Sequence, residues 1–451
     1  MYLTNSLQRQ LVKIEEKSKV KKKEILSTKS ACLFCYEAVP TSIVEEGGKI
    51  FSIRKCNLHG IQKILLETDA NFFKKALETN QICTSLPQTW LFSVNDEYWK
   101  VFRKEFHSFL LTITERCNSN CNICYMDSVP HEEMSFSDIK KILSRIGRNK
   151  NVLLFGGEPT IRKDIFKIIR TIKKSKNIPI LFTNGLKLSD HKFVKKLKKV
   201  GLEAVYFSFD GFDDKIYRKL RGREQLYEKL RALKNLEIAG IPVYLSCTIA
   251  YGINENQIPL LLKFSIKNNH FIKRIAFWPI TPQGKFEANL EKPIFPSDII
   301  KIIESTTKGR VRREYFFEFR KFGNNVFKLL QELGFNVPIV FPSILFKIHH
   351  NKIEELIPLK ELEILNEAFE KKSFIPFLKF FLKHKREVVS YIRILFSGKL
   401  TLLSLGKNIL TINVGSLGEL NFVPTLKETV ALNKFKEKFI GYSGPGTVGE
   451  T

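Results

Sequence analysis

Three cysteines with a CxxxCxxC spacing, Cys117, Cys121 and Cys124, are the clearest candidates for chemistry in this chain. Three thiolates this close together can hold three irons of a cubane 4Fe-4S cluster and leave the fourth iron without a protein ligand. Such an iron can bind a small molecule. With His131 nearby, the same cysteines could instead form a structural Cys3His zinc site, so both kinds of metal centre stay open at this point.

A glycine pair follows the cysteine loop, one crossover later in the chain. Gly156 and Gly157 end the apolar run 152–155 and precede Glu158 and Pro159. Glycines at the end of a strand let the backbone approach a ligand closely, because no side chain intervenes. A Gly-Gly pair is a common turn, but its position one crossover after the cysteines favours the cluster over zinc.

A second group of cysteines lies near the N-terminus. A CxxC pair precedes two short alternating runs joined by a Gly-Gly turn, and a further cysteine and a histidine follow them. This pattern is typical of a ribbon-like metal module. Its expected ligands are Cys32, Cys35 and Cys56, with either His59 or Cys83 as the fourth. We favour Cys83, because four thiolates make a rubredoxin-like iron or zinc site; an ordinary buried thiol is the alternative for this residue.

Apolar runs and amphipathic stretches alternate through the middle of the chain. Nearly continuous apolar strands between helices predict a parallel sheet covered by helices. Ligands of such sheets bind beyond the carboxyl ends of the strands, where the motifs above fall. Cys247 lies inside one strand and is expected in the core. The six expected strands are Phe109 to Thr114, Val152 to Phe155, Ile178 to Phe182, Ala204 to Phe209, Val243 to Ile249 and Ile275 to Pro279.

The cysteine loop and the Gly-Gly-Glu-Pro run resemble the radical SAM superfamily. The resemblance implies a partial (β/α)6 barrel in which S-adenosylmethionine (SAM) chelates the open iron and is cleaved to a 5'-deoxyadenosyl radical. The glycine pair would receive the SAM ammonium, and Arg221 would pair with its carboxylate, since a guanidinium fork matches two oxygens. The residues implied at the cofactor are Tyr125, Gly156, Gly157, Glu158, Pro159, Thr183, Asn184, Ser208, Asp210, Arg221 and Asn254.

Two further features narrow the resemblance. The N-terminal module and the Phe-Ser-Phe-Asp-Gly-Phe-Asp-Asp run at 207–214 are similar to the archaeal branch that contains tetraether lipid synthases and methylases of methanopterin biosynthesis. The resemblance covers about residues 31–285. The cysteines that this branch uses for auxiliary clusters are largely missing, and no cysteine follows Cys247. Chemistry that requires a second cluster is therefore in doubt.

The expected fold class is α/β. A partial (β/α)6 TIM-type barrel at 106–285 carries a rubredoxin or zinc-ribbon-like module with connecting helices at 31–105. A basic lead at 1–30 is expected to be a solvated helix or a disordered arm. A mainly helical cap is expected at 286–451, and the late segment 410–424 is expected to form a hairpin.

Charge and composition limit the partners and the compartment. Lys and Arg outnumber Asp and Glu by 74 to 46, and the net charge of +28 favours a polyanion or an anionic membrane surface. Cysteines in metal-type groups indicate a reducing cytoplasm rather than a disulfide framework. Neither a signal peptide nor a membrane-spanning run is expected. The apolar and basic stretch 374–386 either lies in a membrane interface or caps the barrel.

The leading hypothesis is a radical SAM enzyme that forms a C–C bond or adds a methyl group on a lipid or isoprenoid chain. Phenylalanines between Phe316 and Phe381 would line the channel, and Lys379, Lys383 and Lys385 would meet a headgroup. Methylation of a pterin-like molecule or a tRNA base is the alternative, and a non-enzymatic zinc-binding interaction protein is a further one. Ferredoxin or flavodoxin would be the reductant. Nucleic acid is less favoured because the basic residues are scattered.

Overall fold

The computed structural model describes residues 12–14, 22–32, 35, 37–79, 108–124, 133–280, 285–288, 290, 292–334, 344–385, 408–415 and 440–441. These residues form a five-stranded sheet, a ten-stranded sheet and a two-stranded ladder. The expectations for Cys83, Tyr125 and His131 lie outside the described residues, as does the second half of the expected hairpin at 410–424.

The N-terminal sheet is antiparallel and consists of β1 (Val12–Ile14), β2 (Lys23–Ala31), β3 (Ala38–Glu46), β4 (Lys49–Cys56) and β5 (Gly60–Glu67). Its strand order is β1-β5-β4-β3-β2. Gly47 and Gly48 form the turn between β3 and β4 with φ of +58° and +73°, a conformation that favours glycine. β1 and β2 belong to the segment expected as a helical or disordered lead, so that expectation is wrong for 12–14 and 23–30. Both are edge strands, where lysines are common and mask the strand pattern.

The large sheet contains the expected parallel barrel. All six expected strands form and lie in the order of the chain, and they alternate with helices. The barrel strands are β6 (Ser108–Thr114), β8 (Asn151–Gly156), β9 (Ile178–Thr183), β10 (Ala204–Ser208), β11 (Val243–Ile249) and β12 (Ile272–Pro279). The helices between them are α2 (Phe136–Ile146), α3 (Ile165–Lys174), α4 (His191–Lys199), α5 (Asp214–Arg221), α6 (Leu226–Ile238) and α7 (Ile258–Lys267), while α1 (Ala70–Thr79) follows the ribbon.

The two faces of the barrel strands pack differently. On the outer face, apolar residues such as Leu154 and Val205 join the core beneath the helices. On the inner face, Phe182 stacks on Tyr206 with ring centroids 4.2 Å apart, and Tyr206 meets Tyr244 edge-on at 4.9 Å. The barrel therefore has an aromatic interior rather than an open pore.

The C-terminal region is helical, as expected, but it also extends the sheet. β16 (Ile409–Val414) pairs parallel with β12, and β14 (Ile344–His349) and β15 (Lys352–Glu355) continue the sheet antiparallel. β16 was not expected as a barrel strand. The two-stranded ladder joins β7 (Ile123–Cys124) to β13 (Lys285–Phe286), and β17 (Ile440–Gly441) pairs with β6. The helices are α8 (Pro296–Thr306), α9 (Arg313–Glu332), α10 (Leu359–Glu370) and α11 (Ile375–Lys383).

Phenylalanines of α9 pack in the core. Phe316, Phe317 and Phe319 are buried, and Phe317 meets Phe72 of α1 at 5.1 Å. These three side chains fill space between elements, so they do not support the expected apolar channel. Polar contacts join the same regions, because Arg313 pairs with Asp69 at 2.9 Å. None of the described helices combines the length and the apolar character needed to cross a bilayer.

Candidate functional site

The loop that carries the three cysteines is anchored on the C-terminal end of α5. The backbone N–H of Asn122 donates to the oxygen of Leu220 at 3.1 Å, and its side-chain amide donates to the oxygen of Lys219 at 3.0 Å. Gly222 has φ of +80°, and a Cβ atom there would lie 2.5 Å from the oxygen of Asn120. A glycine is therefore needed where the helix end meets the loop.

The three thiols are neighbours, but they do not converge on one point. Loss of hydration raises the pKa of Cys117 to about 11, the N–H of Ser119 opposes this, and repulsion from Cys121 and Cys124 adds to it. Among the described residues, the set gathered tightly enough for a single ion lies in the ribbon and not in this loop. A 4Fe-4S cluster bonds each thiolate to a different iron and so needs separated thiols. The donor set thus fits a cluster better than a single zinc ion.

The glycine pair lets two backbone segments meet. A Cβ atom on Gly157 would lie 2.4 Å from the oxygen of Arg116, and one on Gly156 would lie 1.9 Å from the oxygen of Thr114. Gly157 N–H donates to the oxygen of Thr114 at 2.9 Å, and Glu158 N–H donates to that of Arg116 at 2.8 Å. The close approach that requires glycine is therefore to the start of the cysteine loop, and contact with SAM stays a prediction.

Glu158 is fully buried, and its carboxylate holds two strand ends together. Oε1 accepts from the hydroxyls of Thr160 at 2.5 Å and Thr183 at 2.8 Å, and Oε2 accepts from the N–H of Asn184 at 2.6 Å. Burial raises the pKa of Glu158 above its usual value, although these donors oppose the shift. Asn184 in turn reaches toward Cys117, with Nδ2 3.8 Å from the sulfur. Glu158 therefore positions the loop, and Pro159 begins the short 3-10 turn that follows it.

Asp210, Arg221 and Asn254 lie in one hydrogen-bonded network, and their assignment to the cofactor stays a prediction. Arg221 donates to both carboxylate oxygens of the buried Asp210, at 2.8 and 3.1 Å, and also to Thr248 at 3.1 Å. Asn254 donates to the backbone oxygen of Asp210 at 2.8 Å. Burial alone would lower the pKa of Arg221, but Asp210 and Cys121 raise it above its usual range. Arg221 is thus a fixed cation beside the cysteine loop, while Ser208 remains half-buried.

Lys229 is a site residue that the sequence analysis missed. Its buried ammonium donates to the oxygens of Asn184 at 2.9 Å and Ser208 at 2.7 Å, across two strand ends. Burial lowers its pKa to about 8. Lys229 lies three residues before Ala232 and seven before Leu236 on α6, and both of these residues are buried. This spacing places the lysine on the apolar face of the helix, which is the sequence signal that could have identified it.

The ribbon contains a compact group of metal ligands. The ligand atoms of Cys32, Cys35, Cys56 and His59 all lie within 4.8 Å of one another. His59 Nδ1 is 3.6 Å from the sulfur of Cys32 and 3.5 Å from that of Cys56, while Gln62 donates to Cys32 at 2.9 Å. Three thiolates and an imidazole suit tetrahedral zinc. His59, left open by the sequence analysis, thus occupies the fourth position among the described residues.

Known proteins match both parts of the chain. Residues 111–265 match the model of the radical SAM superfamily, and residues 25–68 match the HMPTM N-terminal zinc ribbon domain. The chain is 29% identical over 311 residues to 7,8-dihydro-6-hydroxymethylpterin dimethyltransferase of Methanocaldococcus jannaschii. The aligned region covers 64% of this chain and 60% of that protein. It is 33% identical over 179 residues to a probable GTP 3',8-cyclase of Pyrococcus abyssi, over 39% of this chain and 58% of that one.

The chain therefore spans about three fifths of the length of these two relatives. Among solved structures, Streptococcus suis SuiB bound to S-adenosylmethionine aligns with a TM-score of 0.41 at 17% identity, over 59% of this chain and 70% of its own. That score is too low to add to the argument from the site.

Proposed function

We propose that this chain, which carries a radical SAM domain behind an N-terminal zinc ribbon, is an enzyme that methylates a pterin-like small molecule. One observation carries this proposal: the match of the ribbon and the match of the longer region are consistent with the same activity. The ribbon matches a model named for HMPTM, and a relative that spans 64% of the chain is named as a dimethyltransferase of 7,8-dihydro-6-hydroxymethylpterin. The pterin-like substrate, which was our alternative, is thus better supported than the lipid chain that we favoured from the sequence.

The residues that would hold the cofactors lie at the carboxyl ends of the strands. Cys117, Cys121 and Cys124 would bind the 4Fe-4S cluster, which together with SAM supplies a 5'-deoxyadenosyl radical when reduced. Arg221 holds a permanent positive charge beside the loop. Asp210 takes two of its donors and fixes its orientation, so a ligand carboxylate would meet the part of the guanidinium that Asp210 does not occupy. The half-buried Ser208 offers a hydroxyl to a polar group of the ligand.

A protein reductant such as ferredoxin or flavodoxin would supply the electron. The net charge of +28 favours acidic partners, because opposite potentials steer association. No cysteine follows Cys247, so the chain after the barrel offers no thiolate for an auxiliary cluster. We therefore propose direct reduction of the cluster held by the cysteine loop.

Peripheral membrane association is a second candidate property, and it rests on α11. Phe374, Ile375, Leu378 and Leu382 lie on one side of this helix and are 72%, 64%, 46% and 67% exposed. Exposed apolar side chains at this spacing, with lysines nearby, are typical of a helix that lies in a membrane interface. This property is independent of the substrate and is tested separately below.

The test of the proposed function uses the purified chain, reconstituted anaerobically with iron and sulfide. Reductant, 7,8-dihydro-6-hydroxymethylpterin and an excess of SAM are added. The SAM that yields 5'-deoxyadenosine keeps its methyl group on methionine, so a second SAM is supplied as the methyl donor, and the products are identified by mass spectrometry. We expect 5'-deoxyadenosine and a methylated pterin, and we expect neither from the variant with all three loop cysteines changed to alanine. Production of 5'-deoxyadenosine without any methylated pterin would retain the radical chemistry and reject the substrate.

A further inference from the structure

The inner face of the barrel has a closed floor. Tyr206, Tyr244, Arg274 and Thr411 are neighbours in register on four adjacent strands. Arg274 donates to the hydroxyl of Tyr206 at 2.6 Å and to that of Thr411 at 3.3 Å, and its guanidinium lies 5.6 Å from the ring centroid of Tyr244. All four side chains are buried. The floor is therefore filled and hydrogen-bonded.

The next layer toward the carboxyl ends of the strands consists of small residues. Two positions further along the same four strands, Ser208, Ser246, Ala276 and Asn413 are again neighbours in register. The side chains of a strand alternate between its faces, so this layer shares the inner face with the floor. Ser208 and Ser246 remain partly open to solvent although they lie inside the barrel. Small side chains above a filled floor leave room for a ligand.

Asn413 carries an unpaired acceptor in this layer. Its side chain is only 7% exposed, and its Oδ1 atom is buried without a hydrogen-bond partner in the part of the chain that the structure describes. An unpaired buried acceptor is destabilising, because it has lost its hydrogen bonds to water and gained none in return. Most buried polar groups are paired, so such an exception calls for a partner that the chain itself does not supply. A ligand N–H group would be that partner.

We infer that Asn413, together with Ser246, forms the polar subsite for the substrate beside Ser208, and that Asn413 Oδ1 accepts a hydrogen bond from an N–H donor of a flat nitrogen heterocycle. The floor of Tyr206 and Arg274 limits how deep the ring can sit. This inference rests on the proposed function and deepens it, because a pterin carries a ring N–H and an exocyclic amino group. It places the substrate between the floor and the strand ends that hold the cofactor residues.

The indole of Trp278 supports this placement. Trp278 lies on the inner face of β12, two positions beyond Ala276, and a Cβ atom on Gly415 would lie 2.2 Å from its ring. The ring therefore rests against the backbone just after Asn413. A half-buried aromatic ring beside a polar subsite offers a stacking surface to a planar ligand.

The binding experiment uses 6-hydroxymethylpterin, whose own fluorescence reports its binding to the full chain. Asn413→Leu removes the acceptor at nearly constant volume, and we expect it to weaken binding tenfold to a hundredfold. Asn413→Asp keeps an acceptor at the same place and should stay within a few-fold of the wild type. The melting temperature of Asn413→Leu should be unchanged or higher, because the variant loses an unpaired buried group. Equal affinity in the wild type and Asn413→Leu would overturn the inference.

A second probe tests the hydrogen bond itself. Lumazine has a carbonyl where pterin has the amino group, so the wild type should prefer the pterin, and Asn413→Leu should reduce that preference. A preference that stays unchanged in Asn413→Leu would also count against the subsite. A parallel loss in Asn413→Leu and Asn413→Asp, accompanied by a lower melting temperature, would show a structural role instead.

The outcomes separate this inference from the proposed function. If the wild type methylates the pterin and Asn413→Leu does so equally well, only the assignment of Asn413 fails. If the wild type binds no pterin, the proposed substrate fails, and guanosine then serves as the donor-bearing probe, with its binding measured by calorimetry. Binding of neither probe would overturn the subsite as well.

Discussion

The ammonium of Lys229 lies 2.9 Å from the backbone oxygen of Asn184, the residue whose side chain reaches the sulfur of Cys117. A second hydrogen bond joins the same ammonium to the oxygen of Ser208 at 2.7 Å. One buried cation on a helix therefore fixes the ends of two barrel strands beside the cysteine loop. Because the ammonium binds backbone oxygens at both strand ends, we regard Lys229 as a positioning residue.

Replacement of Lys229 should lower stability. Lys229→Met leaves two carbonyl oxygens without a buried donor, and we expect the free energy of unfolding to fall by about 2–4 kcal/mol, as typical for unpaired buried groups. Lys229→Arg should recover part of this loss. The matched control is Lys234→Met on the exposed side of the same helix, which should change stability by less than about 0.5 kcal/mol. Denaturant titration measures each value, and equal stability of the two methionine variants would contradict the positioning role.

The same lysine predicts a pH dependence. Burial lowers its pKa in the folded chain to about 8 from the usual 10.5. Between these values the unfolded chain binds more protons than the folded chain, so the contribution of Lys229 to stability rises with pH from about 8 to 10.5. We expect the difference in unfolding free energy between the wild type and Lys229→Met to increase over this range. A flat difference would mean that the lysine keeps its usual pKa in the folded chain and is better hydrated than its burial indicates.

Glu158 should act on the geometry of the cysteine loop rather than on the ligand. Glu158→Ala leaves the buried donors of Thr183 and Asn184 without their acceptor, so we expect a lower melting temperature and a weaker retention of iron after reconstitution. Glu158→Gln keeps one acceptor oxygen and should be milder in both respects. Iron content and thermal melting are measured on the same samples. Full iron content and an unchanged melting temperature in Glu158→Ala would remove the positioning role.

Much of this arrangement follows from local sequence patterns. The six apolar barrel strands and the cysteine spacing are short-range signals. The bounds of each strand were predicted to within a few residues. The pairing of strands that lie far apart in the chain leaves no such local signal. β16, for example, pairs with β12 across more than a hundred residues. The sequence also does not reveal that Asp210 already occupies part of the fork of Arg221, since that depends on the relative placement of β10 and α5.

Two residues are candidates for the fourth metal ligand of the ribbon. The sequence favoured Cys83 as an additional thiolate, whereas the described residues bring His59 Nδ1 to within 3.6 Å of two sulfur atoms. We expect His59→Ala to lose the N-terminal metal and Cys83→Ala to keep it. Because metal binding supplies much of the folding energy of a small ribbon, His59→Ala should also make residues 25–68 sensitive to protease. His59→Cys, which restores a ligand, is the matched control.

The metal content of each variant identifies the fourth ligand. Zinc and iron are counted per chain after the loop cluster has been removed by the triple cysteine variant, so that the ribbon metal is measured alone. Loss of the ion in Cys83→Ala with retention in His59→Ala would return the role to the cysteine that the sequence analysis favoured.

The exposed face of α11 predicts binding to anionic membranes. Phe374 and Leu382 are 72% and 67% exposed, and Lys379 and Lys385 are exposed nearby, so apolar insertion and attraction to anionic lipid would act together. We expect sedimentation with phosphatidylserine vesicles at low salt, weaker at about 0.5 M salt because the charges are then screened. Phe374→Ser with Leu382→Ser should abolish binding, and Lys379→Glu with Lys385→Glu should reduce it. Lys383 is left unchanged because it pairs with Glu361, and Lys192→Glu with Lys195→Glu on the exposed side of α4 is the matched control. If the wild type stays in the supernatant with anionic vesicles at low salt, α11 does not bind membranes.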